Sequence, residues 1–242
     1  MKHPTYLCYE VLRTLRNRRF LVFSLGFPLL LFLTIGGLNR KAHLGGISFP
    51  LYYMTGMAAW GTMVAVISSG ARIAAERQIG WTRQMRITPL ATSAYFRAKV
   101  LCGYLMALLS IVVLYGAGIS LGVRLSAGQW LTMTALVLIG LIPFAVLGIV
   151  LGHLLSVDSM GPAMGGITTL FALFGGAWGP LATSGVLLTL VKCIPSYWLV
   201  QAAKSALGGR GWPAEAWIVL AIWAVGLARI AVVVYRRDTA RV

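Results

Sequence analysis

Six runs of mostly apolar residues, at about 20–38, 51–71, 100–123, 130–152, 160–178 and 216–235, constrain this chain more than any other feature. A hydrocarbon layer about 30 Å thick takes about 20 apolar residues of α-helix to cross, so each run predicts a membrane-spanning helix. Composition leaves no soluble alternative. Hydrophobic residues make up 59% of the 242 positions and charged residues 11%, against about 25% charged in an ordinary soluble protein. Disorder is excluded because disordered chains are poor in apolar residues. Basic residues precede the first run as they do in a signal peptide, but the run is too long and no small-residue cleavage site closes it. The expectation is an all-α integral membrane protein, one transmembrane domain over residues 1–242 with six spans.

The charges set the orientation. There are 21 basic and 5 acidic residues, net +16. In a membrane protein such an excess holds the topology, since basic residues gather in cytoplasmic segments; a nucleic-acid partner is not implied. Fourteen of the 21 fall on the side shared by the two termini and six on the other, with Arg229 inside the last span. Both termini are therefore expected in the cytoplasm and the chain in the cell membrane. Cys8, Cys102 and Cys193 lie at three different depths with no paired or zinc-type spacing, so neither a disulfide nor a metal site is expected.

Two segments on the basic side are more than connectors. In residues 4–19, Leu7, Val11 and Leu15 recur every fourth position with Cys8 and Leu12 beside them, while Glu10, Arg13, Arg16, Asn17 and Arg18 fill the remaining surface. That pattern predicts a basic amphipathic helix lying in the headgroup plane. Residues 72–99 predict a polar helix as far as Arg86 or Ile87, a break at Pro89, and a helix capped by Thr92 or Ser93 that enters the third span. On the opposite side, Gly185–Cys193 is apolar but too short to cross, which suits a re-entrant or interfacial helix. A second short helix is expected from about Tyr197 to Leu207.

Catalytic chemistry is sparse. The histidines are scattered, no HExxH or GxSxG occurs, and no GxxxxGK[ST] phosphate loop is present, so neither enzyme activity nor a bound cofactor is expected of this chain. The acids Glu10, Glu76, Asp158, Glu215 and Asp238 fall at span ends or in loops, which argues against ion-coupled transport. Arg229 is expected to snorkel toward the headgroups.

The segment from Ala75 to Lys99 reads AERQIGWTRQMRITPLATSAYFRAK. It resembles the signature of the ABC type-2 permease family: Glu76, Arg77, Gly80, Thr88, Pro89, Leu90 and Lys99 match, and Gln78 stands where the family usually has a second acid. The stretches Phe174-Gly175-Gly176, Trp178-Gly179-Pro180 and Pro195-Ser196-Tyr197, and Arg16 to Phe20 leading to Pro28, are also similar to that family. The resemblance implies six spans per subunit, a second permease subunit (identical or not), and separate cytoplasmic ATPase subunits that hold ATP and magnesium. It makes residues 4–19 a connecting helix and about Glu76–Ile87 a coupling helix, with Glu76, Arg77, Gln78, Gly80, Arg83 and Arg86 as the ATPase-docking residues. Glu76 should then pair with a basic residue of its own segment or meet the ATPase. In this family the second and fifth spans line the dimer interface and the substrate path, which makes Thr55, Thr62, Met164, Thr168, Phe171 and Phe174 candidate lining residues. Gly148-x-x-x-Gly152 and Gly161-x-x-x-Gly165 read as helix-packing spacings. The function implied is ATP-driven export of amphiphilic, drug-like or antibiotic compounds. Lipid or polysaccharide-precursor export by the same family is the alternative, and a self-sufficient channel or secondary carrier is a different class altogether.

Overall fold

The computed structural model describes residues 3–44, 46–81, 84, 92–179, 184–207 and 211–240. Four helices in it are long and apolar enough to cross a membrane. The run at 51–71 becomes α4 (Phe49–Ala71), with Pro50 in its first turn, where a missing N–H leaves no bond unmade. It continues through α5 (Ile73–Gln78), so the two form one apolar helix of 30 residues. The runs at 100–123 and 216–235 become α6 (Thr92–Ser120) and α12 (Ala214–Ala240). The run at 130–152 becomes α7 (Ala127–Gly140) followed by α8 (Ile142–Leu154), with Pro143 opening α8. A capping box between Ser126 and Gln129 starts α7. The chain is thus a multi-pass, all-α membrane protein apart from a small hairpin, β1 (His43–Leu44) antiparallel to β2 (Ile47–Ser48).

The other two runs depart from expectation. Around 20–38 the helix is interrupted: α2 (Arg18–Leu21), a π-helical turn over Val22–Gly26, α3 (Phe27–Leu31), and a second π-helical turn over Phe32–Gly36. Each π turn inserts a residue into the α-helical ladder, and the apolar helix extends only over Val22–Gly36. The run at 160–178 becomes α9 (Val157–Gly175), which ends early because Gly176 adopts a left-handed φ of 73° and caps it. Asp158 and a glycine-rich first half leave α9 less apolar than the four long helices. Beyond it, α10 (Gly185–Lys192) and α11 (Pro195–Leu207) form a corner of 90°. Two indoles hold that corner: Trp198 Nε1 donates to the Lys192 carbonyl at 2.8 Å and Trp223 Nε1 to the Cys193 carbonyl at 2.9 Å.

At the amino terminus, α1 (His3–Leu15) forms as expected but turns a different face inward. Tyr6, Glu10 and Thr14, spaced by four, are buried, while Tyr9, Leu12 and Leu15 are exposed. Glu10 therefore does not belong to the surface of this helix. Its carboxylate finds cations on other helices, which no reading of α1 alone can reveal.

The centre of the bundle is α4. Within its apolar window 83% of the residues are buried inside the protein, against 6% for α12, which lies on the outside. Close approach to α8 depends on glycines. A Cβ on Gly148 would lie 2.4 Å from the Ile67 carbonyl oxygen, and one on Gly152 would lie 2.5 Å from that of Gly70. Small residues let helix backbones meet in lipid, where van der Waals contact replaces the hydrophobic drive. The spacing Gly161-x-x-x-Gly165 behaves differently, since a Cβ at either position meets nothing within 4 Å. Gly148→Ala should therefore destabilise the detergent-solubilised chain by about 1–3 kcal/mol through overpacking, whereas Gly165→Ala should stay within about 0.5 kcal/mol of wild type. Thermal unfolding of the two variants side by side checks this.

Candidate functional site

Three helix ends converge at the end of the bundle that carries α1. Arg72 and Glu76 come from the α4–α5 helix one turn apart, Tyr95 and Lys99 from the first turns of α6 one turn apart, and Glu10, Arg13 and Thr14 from α1. The i, i+4 spacing puts each pair on one face, and the three faces meet. Lys99, Glu76 and Glu10 are all but fully buried.

Lys99 is the hub. Its ammonium donates to Glu10 Oε1 at 2.7 Å and to Glu76 Oε1. Glu76 Oε1 also accepts from Arg13 Nη1 at 2.8 Å, and Oε2 accepts from the Tyr95 hydroxyl. Arg13 and Arg72 approach Glu10 at 3.8 and 3.9 Å. Arg72 donates to the Thr14 hydroxyl, which in turn donates to the Glu10 carbonyl at 2.8 Å, and its guanidinium lies 5.0 Å above the Phe20 ring. Ser69 donates to the Lys99 carbonyl at 2.7 Å. Arg72 Nη2 is buried and unpartnered among the described residues. Two carboxylates are thus shared among three cations, each making at least one hydrogen bond. That is the condition under which buried charge is tolerated. Tyr6, buried against the same cluster, has its phenol pushed well above its ordinary value, first by burial and then by Glu10 and Glu76, and stays protonated.

The neighbouring residue points elsewhere. Successive helical residues diverge by about 100°, so Arg77 leaves the cluster and meets α8 and α12. Its Nη1 donates to the His153 carbonyl at 2.8 Å, capping the end of α8, and Nη2 reaches Asp238 Oδ1 at 2.8 Å. Asp238 Oδ2 lies 2.9 Å from His153 Nδ1. Glu76 and Arg77 together bind the α4–α5 helix to both sides of the bundle. Gln78 and Ile79 follow and are exposed, and Gly80 turns the chain with a φ of 72°. Arg83, Arg86 and the Thr88-Pro89-Leu90 element lie outside the described residues.

The candidate lining residues lie on two helices, α4 and α9. Thr55 and Thr62 are buried in α4, and their hydroxyls donate to carbonyls of their own helix, Thr55 to Tyr52 and Thr62 to Ala58, both at 2.7 Å. Thr168 is buried and donates to the Met164 carbonyl at 2.7 Å. Met164, Phe171 and Phe174 are half-buried, with the Phe171 ring edge-on to Phe144 and Trp223. Among the described residues no three His, Cys, Asp or Glu side chains group so as to hold a metal ion.

Glu76 makes the first of its two expected pairings, with a basic residue of its own segment, Lys99. Sequence reasoning did not assign Glu10, Arg72, Tyr95, His153 or Asp238 to any cluster. The available signal was a cost: a lysine at the mouth of a span needs a partner.

Comparison with known proteins covers most of this framework. A family model described as ABC-2 family transporter protein matches residues 39–233, a stretch that contains Glu76, Arg77 and Lys99 and leaves out α1. The "Putative transport permease YvfS" of Bacillus subtilis (strain 168) is 28% identical over 192 residues, covering 78% of each chain.

Two outcomes follow from the geometry. Lys99→Met leaves two adjacent buried carboxylates without their shared cation and should cost about 3–5 kcal/mol. Adding Glu10→Gln and Glu76→Gln should return part of that, read from thermal unfolding in detergent. Arg77→Ala breaks a partly exposed pair, so its effect should be local. It should speed hydrogen exchange near Asp238 and the end of α8 while the amides of α1 keep their protection.

Proposed function

Because the chain belongs to the ABC-2 family of transporter proteins, we propose that it is the permease subunit of an ATP-driven exporter of amphiphilic, drug-like or antibiotic compounds. In this reading it has six spans, with the interrupted first segment and α9 crossing beside the four long helices. Both termini are cytoplasmic, as the excess of basic residues on their side favours, and the complex sits in the cell membrane. A second permease subunit completes the path. ATP and magnesium belong to cytoplasmic ATPase subunits, which fits a sequence without a phosphate-binding loop.

The observation that carries this reading is the Lys99 cluster. Export requires that events on the ATPase shift the membrane helices between two states that bind substrate differently. A joint transmits such a shift only if it does not yield. Here the α4–α5 helix is pinned by Glu76 to α1 and α6 and by Arg77 to α8 and α12, and directly after it Gln78 and Ile79 are exposed. ATPase docking is assigned to Gln78, Gly80, Arg83 and Arg86, with Ile79 between them, while Glu76 and Arg77 hold the docking segment in place. The substrate path runs along α9, where Met164, Phe171 and Phe174 are half-buried beside the open positions Gly165 and Gly166. Thr55, Thr62 and Thr168 line it in the state that separates α9 from α4.

Reconstituted alone in liposomes, the chain should neither hydrolyse ATP nor move substrate; flux driven by a proton gradient without a partner overturns the assignment. Ile79→Asp should leave thermal unfolding unchanged and sharply reduce co-purification of the ATPase.

A further inference from the structure

Arg229 lies seven residues before Arg236 in α12, about 10 Å deeper along the helix axis, and it is exposed on the outer surface of the bundle. It makes no hydrogen bond, ion pair or ring contact among the described residues. The five acids of the chain cannot serve it. Glu10 and Glu76 are committed to Lys99, Asp238 to Arg77 and His153, and Glu215 faces Lys192 at the opposite end of α12, 3.8 Å away. Asp158, in the first turn of α9, forms no ion pair with it. The surroundings of Arg229 are apolar: Ile222, Val225, Val232 and Val233 are about half exposed or more on the same helix. A guanidinium in such a place needs a counter-ion from outside the chain.

We propose that Arg229 and this apolar stripe form a binding site for one anionic phospholipid of the adjacent leaflet. The guanidinium holds the phosphate drawn inward from the headgroup plane, and Ile222, Val225 and Val233 take the acyl chains. Three features fit this occupant. The side chain is long enough to meet a phosphate part-way down from the level of Arg236, and a planar guanidinium matches phosphate oxygens in a bidentate manner. Most of the surface of α12 is exposed, so the face that carries Arg229 is open to lipid. The site asks for an anion attached to a hydrocarbon tail, which free phosphate is not. It lies in whichever leaflet α12 ends in, so it stands apart from the orientation and the exporter assignment.

The test titrates the full-length chain in mild detergent with phosphatidylglycerol or phosphatidylcholine and follows bound lipid by native mass spectrometry. Wild type should favour phosphatidylglycerol about fivefold, the increment expected for one basic residue at a membrane surface. Arg229→Gln should remove that preference, Arg229→Lys should retain most of it, and Arg237→Gln, at the exposed end of the same helix, should change it less. Millimolar inorganic phosphate should not displace the lipid. An undiminished preference in Arg229→Gln overturns the proposal. So does loss of subunit association in place of lipid, which would assign Arg229 to a carboxylate of a neighbouring subunit, or competition by free phosphate, which would reduce the site to a bare anion site.

Discussion

One ammonium group, Lys99 Nζ, organises the basic end of this protein. It is fully buried and bonded to two carboxylates from two other helices. Removing three such charges from water is costly, and only their mutual attraction with every hydrogen bond made offsets it. The consequence is geometric. A hydrophobic contact tolerates sliding, because its energy depends on area and not on direction. A buried ion pair does not, because separating it by a few ångströms leaves charges with neither water nor partner. The relative positions of α1, the α4–α5 helix and α6 are fixed by that condition.

The same condition reverses what an amphipathic helix usually does. In α1 the buried face is the polar one, Tyr6, Glu10 and Thr14, and the exposed face carries Tyr9, Leu12 and Leu15. A helix of this kind meets protein with its charges and leaves apolar side chains exposed. The stripe of Leu7, Val11 and Leu15 was legible in the sequence, but in the structure Leu7 and Val11 are half-buried, with Leu7 packed against the cluster of Tyr6 and Tyr95, and only Leu15 is exposed. The partner of Glu10 was not legible, because Lys99 stands 89 residues away and nothing local marks the pairing.

Legibility elsewhere followed the strength of the physical constraint. Four spans could be read directly because hydrocarbon admits only long apolar helices, while their boundaries moved outward where polar ends such as Arg72–Gln78 continued a helix and inward where α6 stops at Ser120. The first segment was read as one continuous helix, since π-helical turns at Val22–Gly26 and Phe32–Gly36 change the ladder and not the composition. Of the two glycine spacings, one packs against a neighbouring helix and the other meets nothing among the described residues, and only the neighbouring helix distinguishes them. Thr55 and Thr62 recur at helical spacing, yet their hydroxyls bond their own helix. A threonine in a span can always satisfy itself in this way, so its presence alone carries little information about a path.

Glu76 and Arg77 show how much one step along a helix can accomplish. Their side chains diverge by about 100°, so one residue joins the α4–α5 helix to α1 and α6 and the next joins it to α8 and α12. Neither link can be relaxed by rotating the helix, because a turn that favours one pair draws the other apart. Asn17, between α1 and α2, accepts from the Phe20 amide at 3.1 Å, and Arg72, which donates to Thr14 of α1, lies above the Phe20 ring, so the α4–α5 helix touches both α1 and the first apolar segment. That segment is the one with two π turns, and π-bulges are among the few places where helices kink. The closely bonded charge cluster and the irregular helical ladder of the next segment are therefore adjacent in the chain.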